Sequence, residues 1–337
     1  MQIKVNSNTL ARLLAAAWQS YRLGFLVALV GLLLTLLTPH FLTIDNLSNV
    51  LTNVSLVAIV GLGMTLAIAS GNFDLSVGST AALAGCISMS LIVNNDWSVP
   101  PAILVGLVSG ALIGLGNGLI ITELRVPAFI ATLATMTILR GVALIYTNGR
   151  DIYLSGKTDY KFLSGGRLLG IPVPIVLMLA LTIILILVVK QTRFGRQVLA
   201  VGSNKAAARR SGVRVSLVVW GVFAIVGVTA ALYGMIISSQ VLTANGRLDT
   251  GLELSAIAVV VLGGTPLSGG QINLIGTLLG SLLIETINNG LNLLNISSFY
   301  QQLTVGLLLL IALTLEVSRG YDLKNLLKVE KTSNEAA

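Results

Sequence analysis

Apolar stretches about as long as a bilayer is thick recur along almost the whole of this chain, and no other feature constrains its fold as strongly. A helix needs about 20 apolar residues to cross a hydrocarbon core. Ten stretches are candidates, at roughly 24–43, 49–69, 74–94, 100–122, 127–147, 172–190, 216–240, 253–266, 273–294 and 299–317. Composition agrees: 55% of the 337 residues are apolar and 10% are charged, against about 25% charged in a soluble domain. The expectation is an all-α, polytopic transmembrane helical bundle. Its 35 glycines suit that class, because small residues let membrane helices approach closely. The eighth stretch is short, and Gly263-Gly264-Thr265-Pro266 breaks it ahead of Ser268-Gly269-Gly270. It reads as a half-span, and interrupted helices are where transporters expose backbone near the solute route.

The chain repeats itself. Phe73 to Gly85 returns, altered, as Leu252 to Gly264, at an offset that matches Leu75 with Leu254, Ser76 with Ser255 and Leu83 with Leu262. Asp74 falls on Glu253, one carboxylate on another. Gly106-xxx-Gly110 matches Gly276-xxx-Gly280, and Asn117-Gly118-Leu119 before Phe129 matches Asn289-Gly290-Leu291 before Phe299. Three echoes in the same order indicate a duplicated unit, which in an apolar chain points towards a transporter.

Loop charge orients the spans. Lys190, Arg193, Arg196, Lys205, Arg209, Arg210 and Arg214 occur with no acidic residue among them, and the tail adds Arg319, Lys324, Lys328 and Lys331. The loops 148–171 and 241–252 mix signs. The positive-inside rule then puts both termini and 190–215 in the cytoplasm. Spans 2–5 and 7–10 become two copies of opposite orientation, an inverted internal repeat. Residues 1–22, with Leu10, Leu13, Leu14, Trp18 and Tyr21 on one arc, read as an amphipathic helix on the membrane surface. Residues 23–320 form the transmembrane domain and 321–337 a cytoplasmic tail. The net charge of +8 belongs to these short loops and tails, so no nucleic acid is expected.

Ordinary enzyme chemistry has little to work with. One cysteine and one histidine exclude a disulfide framework and leave little for a Cys/His metal site; no metal and no cofactor are expected. Gly156-Lys157-Thr158 looks like the end of a phosphate loop, but the glycine required five residues earlier is Asp151. Any ATP would be used by another subunit.

The polar residues inside the spans are the candidate site. Asp74 and Glu253 begin their helices, where exposed N–H groups and the helix dipole favour a carboxylate, and Thr250-x-x-Glu253 has the form of a capping box. Capping accounts for both; gating or solute passage is the functional alternative. Arg140 lies well inside the fifth span, as an interfacial anchor or a donor facing a polar cavity, with Glu285 as a candidate partner. Asn117, Thr132 and Asn289 supply neutral hydrogen-bonding groups, suited to sugar hydroxyls and equally to holding helices together. In the loop 193–215, Ser203 or Asn204 can cap a short helix over Lys205–Ser211, and Gly212 can end it in the left-handed conformation. A basic helix with a capped start and a defined stop suits a soluble partner better than lipid headgroups, which need only the charge.

The fragments SGNFDLSVGS (70–79), FIATLATMTILRG (129–141), FGRQVLAVGSNKAAARRSGV (194–213) and ELSAIAVVVLGGTPLSGG (253–270) resemble the membrane permeases of bacterial ABC sugar importers of the ribose, xylose, arabinose and galactose type, with autoinducer-2 permeases as relatives. The resemblance covers residues 25–317. It implies an inner-membrane permease subunit, paired with a second permease as a homodimer or heterodimer, that receives a monosaccharide from a periplasmic binding protein. A cytoplasmic ABC ATPase would drive it through a coupling helix, here about Gly202–Gly212. The Arg209-Arg210 pair departs from the pattern of many relatives, which carry one Arg followed by an apolar residue. The rival reading is an ion-coupled secondary transporter of a small polar solute, for which mid-membrane ionisable residues are scarce.

Overall fold

Breaks in the apolar runs become turns in the computed structural model, which describes residues 23–154, 158–297 and 299–320. The surface helix expected over residues 1–22, the tail 321–337 and Gly156-Lys157 lie outside the described residues. The helices are α1 (Leu23–Leu37), α2 (Ile44–Ala69), α3 (Val77–Val93), α4 (Val99–Glu123), α5 (Ala128–Tyr146), α6 (Phe162–Gly165) and α7 (Val173–Gln191). Then come α8 (Arg193–Ser203), α9 (Lys205–Arg210), α10 (Val215–Val241), α11 (Leu252–Leu262), α12 (Leu274–Leu293) and α13 (Phe299–Gly320).

Six of these are long and apolar enough to cross a membrane: α2, α4, α5, α7, α10 and α12. The apolar helices in α1, α3, α11 and α13 are shorter. Helix α1 stops at Leu37 where the first span was expected to reach 43, because Pro39 disfavours helical backbone at Thr38. Helix α3 starts at Val77, after Asp74. The 11 residues of α11 give a rise of about 16 Å, roughly half a hydrocarbon core. That helix ends as its sequence suggests. Gly264 takes φ +86°, and Asn273 ties the break closed by donating from Nδ2 to Gly263 O at 2.8 Å while its Oδ1 caps α12 by accepting from Gly276 N at 2.9 Å.

The duplication is visible in the packing. Helix α10 lies against α4, α3 and α2, and α2 lies against α12, α11 and α10. Exchanging α2 with α10, α3 with α11, α4 with α12 and α5 with α13 turns α10–α4 and α10–α3 into the observed α2–α12 and α2–α11, and maps α2–α10 onto itself. The pairs α3–α4, α3–α5 and α4–α5 likewise become α11–α12, α11–α13 and α12–α13, all present. Glycines set the closest approach. Gly106, Gly110, Gly114 and Gly118 form one stripe of α4; a Cβ on Gly110 or Gly114 would run into the α10 backbone at Gly227 O or Phe223 O, and one on Gly118 would stand 2.9 Å from Trp220 Cα. Between α2 and α12 the buried hydroxyls of Thr65 and Thr277 meet at 2.7 Å.

The two ends of α10 differ. Its start touches α8 and α9, and its far end touches the short 148–171 segments and β4. There β1 (Ile152–Tyr153) pairs antiparallel with β4 (Thr243–Ala244), while β2 (Arg167–Leu168) and β3 (Ile171–Pro172) form a separate hairpin. Among the described residues, four two-residue strands are thus added to an otherwise helical fold. Tyr160 pins this cap: its hydroxyl lies 3.1 Å from Met235 O and 3.0 Å from Ser238 Oγ, and burial pushes its pKa up, which keeps it a neutral donor. The two loops of mixed charge therefore join at one end of α10, and the purely basic loop lies at the other.

Candidate functional site

The first turns of α3 and α11 meet. A Cβ on Gly78, in the first turn of α3, would stand 2.8 Å from Glu253 Oε2 in the first turn of α11 and 3.2 Å from Asp249 O. From this junction α3 leads towards β1 and β4, whereas the far end of α11 reaches Gly269 and Gly270, beside Gly71 and Ser203. Helices α3 and α11 thus run to opposite ends of the bundle. Each helix start carries a partial positive charge of about half an elementary charge, so carboxylates collect where they meet.

Asp74 serves the α3 start. Its Oδ1 accepts from Ser76 N at 2.8 Å and Ser76 Oγ at 2.6 Å, and Asn117 Nδ2 from α4 donates to Ser76 Oγ at 2.8 Å. All three residues are buried. Thr132 joins them from α5, where its hydroxyl bonds Ala128 O at 2.8 Å and reaches towards Phe73 O at 3.4 Å. Asp74, Asn117 and Thr132 are thus brought together, and the first two are linked through a serine that the repeat alignment had matched with Ser255.

The capping box expected at Glu253 is not formed. Thr250 does not form a capping box; its hydroxyl donates to Arg247 O at 3.1 Å, and the N-cap of α11 is Gly251 at φ +99°. The helix starts one residue later than the box requires, so Thr250 is not at the N-cap. Arg140 finds its partners in this same loop. Its Nη1 donates to Gly246 O and Leu248 O, both at 2.9 Å, with Glu253 and Asp249 close by. Glu285 instead accepts from Asn288 Nδ2 at 3.2 Å on its own helix. Asn289 stands apart from the junction. It exchanges two hydrogen bonds with Asn46 at 3.0 and 2.8 Å and so clamps α12 to the start of α2.

Sequence reading missed Gly78, Asp249 and Tyr233, which faces Asp249 from α10. Only Asp249 carried a signal, an acid four residues before Glu253.

The basic loop forms a platform at the other end. Thr192 caps α8, accepting from Gly195 N at 3.2 Å, and α8 buries Val198 and Val201. Asn204, not Ser203, caps α9, accepting from Ala207 N at 2.9 Å; Ser203 ends α8 and lies against Gly270. Helix α9 buries Ala208 and exposes Lys205, Arg209 and Arg210. Gly212 takes φ +81°, with Val213 N bonded to Ala208 O and Gly212 N to Arg209 O, both at 3.1 Å. This is the left-handed stop read from the sequence. The platform touches both halves: Gly202 abuts Ala69 O at the end of α2, and Gly270 N, after α11, donates to that same carbonyl at 2.8 Å.

A family model described as the branched-chain amino acid transport system / permease component matches residues 46–313. The chain belongs to this permease family. The permease is 43% identical over 296 residues to the ribose import permease protein RbsC of Bacillus subtilis strain 168, covering 87% of this chain and 91% of that protein. It is 40% identical over 310 residues to RbsC of Escherichia coli strain K12, covering 90% and 96%. It is 36% identical over 297 residues to the L-arabinose transport system permease protein AraH of the same strain, covering 88% and 89%. No solved structure matches the permease.

Proposed function

We propose that this chain is the permease subunit of an ATP-driven importer that carries a monosaccharide, a pentose or hexose, across a bacterial inner membrane by alternating access. The observation that carries the reading is near full-length identity of 36–43% to relatives named for ribose and arabinose. The exposed, capped and basic α9 adds a second support. It offers an ATPase a defined helix, and the platform beneath it contacts the ends of both halves, α2 and the α11–α12 turn. A displacement there would reach the two copies of the repeat together. In this reading ten helices span the membrane, α1 to α5, α7 and α10 to α13, with both termini and α9 in the cytoplasm. The partners are a cytoplasmic ABC ATPase, a periplasmic sugar-binding protein and a second copy of the permease.

Energy supply tests the function. Proteoliposomes holding the permease alone are expected neither to hydrolyse ATP nor to accumulate sugar, whereas addition of the ATPase and loaded binding protein restores ATP-dependent uptake. Uptake driven by a proton or sodium gradient without other subunits would establish the ion-coupled reading instead.

Topology is tested separately. Lys205 and Leu169 are both exposed, at opposite ends of α10, and Cys86 is buried. Single cysteines at Lys205 and Leu169, with Cys86 replaced, should differ on intact spheroplasts: an impermeant thiol reagent labels Leu169→Cys and spares Lys205→Cys. Equal labelling would refute the ten-span arrangement.

A further inference from the structure

We infer that Asp249 and Glu253 are specificity-determining residues, which accept hydrogen bonds from solute hydroxyls at the junction of α3 and α11. The inference rests on the monosaccharide reading above and adds the groups that would recognise the sugar.

Two buried oxygens carry it. Asp249 Oδ2 and Glu253 Oε2 are each shut off from solvent, and among the described residues neither of these two atoms has a hydrogen-bond partner, the Tyr233 hydroxyl serving the rest of the Asp249 carboxyl. They come from different elements, the loop before α11 and the first turn of α11, and the guanidinium of Arg140 lies beside both residues. The hydrogen bonds of that guanidinium, however, go to the backbone, at Gly246 O and Leu248 O. A buried acceptor without a donor is costly, and an ionised one more so. Native structures keep such groups where a ligand or water will satisfy them.

The chemistry of the missing donor follows from the surroundings. A second cation would meet Arg140 at close quarters. A neutral molecule rich in hydroxyls brings donors without that repulsion, and a carboxylate oxygen is a strong acceptor for O–H. Gly78, which has no side chain, lets the first turn of α3 close over Glu253 Oε2, and opening of the junction would uncover that oxygen to a solute. The junction also has the right place in the fold. Asp249 and Glu253 belong to the second copy of the repeat, while Gly78 and Arg140 belong to the first. A solute held between the two copies is released when they move apart, as alternating access requires.

The test is a cycle between hydroxyl and acceptor. The complete complex, reconstituted with its ATPase and binding protein, is first offered D-ribose, L-arabinose and D-allose to find a transported sugar. Single-turnover uptake is then measured for that sugar and its monodeoxy analogues, each supplied on saturated binding protein, so that any change in discrimination belongs to the permease. The wild type is expected to disfavour at least one analogue by tenfold or more. Glu253→Gln or Asp249→Asn should reduce that preference to threefold or less for the same hydroxyl and leave the preferences at other hydroxyls in place. Uniform slowing of every sugar, or unchanged preferences, would overturn the inference. So would loss of folded protein in both amide variants, which would assign the carboxylates to holding the junction together. A wild-type complex that moves none of the sugars would instead count against the monosaccharide reading itself.

Discussion

Leucine in place of Gly114 is expected to abolish recovery of folded permease, whereas leucine in place of Gly116, two residues along the same helix, leaves recovery near that of the wild type. A Cβ on Gly114 would overlap Phe223 O and lie 2.6 Å from Phe223 C, both backbone atoms of α10. A flexible side chain could swing away from such a contact, but a helix backbone cannot without the whole helix moving. Gly110 faces Gly227 O on the same seam, and Gly118 faces Trp220, so a shift made at one position opens gaps at the others. Between membrane helices there is little hydrophobic force to offset the loss, since lipid tails are as apolar as leucine, and packing is a main source of association. Overpacking of a core commonly costs about 1–3 kcal/mol, and a backbone clash with three side-chain carbons still to place lies above that range. Nothing stands within 4 Å of a Cβ on Gly116, so its leucine meets no neighbour within the chain. Monodisperse yield by fluorescence-detected size exclusion reads the contrast. Equal yields from the two variants would refute this packing, and alanine at Gly114 is expected to fall between them.

That seam also shows how far the sequence could be read. Hydropathy located every apolar helix, because length and composition are local properties. It showed that the eighth is cut short, but not that α1 and α3 are. Asp74 seemed to open its span, yet the chain stays out of the helix until Val77, because the carboxylate spends its oxygen on Ser76. The offset that aligned Asp74 with Glu253 was legible, and so was the break at Gly263-Gly264. The meeting of the two helix starts was not, since it depends on a turn of the chain through residues 243–251 and on the absence of a side chain at Gly78. Arg140 illustrates the same limit. A buried guanidinium needs acceptors, and the sequence suggested the other charge placed deep in a span, Glu285. Backbone carbonyls took that role, and carbonyls carry no sequence signal. The loop 193–215 was the most legible part because caps and stops are written within a few residues. Even there the choice between Ser203 and Asn204 followed from Gly270, which lies against Ser203 from a segment far away in sequence.

Valine at Gly212 should leave insertion and dimer formation near normal, weaken co-purification of the ATPase and abolish uptake. The residue takes φ +81°, and nothing lies within 4 Å of an added Cβ, so the penalty is conformational and not steric against a neighbour. Left-handed backbone costs an L-residue about 1–2 kcal/mol, and β-branching makes it worse. The chain can escape that cost by letting α9 run on past Ser211. Doing so breaks the bonds from Val213 N to Ala208 O and from Gly212 N to Arg209 O, and it turns Arg209 and Arg210 away from their present direction. The bundle itself is untouched, because the nearest buried residue on that side is Val215, at the start of α10. Asparagine, which tolerates left-handed backbone, should restore much of the uptake at this position. Charge reversal at Arg209 should weaken ATPase association with the helix geometry intact. If the loop instead serves only to hold acidic lipid headgroups, Gly212→Val would be nearly silent, since every charge remains. Normal transport by Gly212→Val, measured beside Arg209→Glu, would remove α9 from its role as the coupling helix.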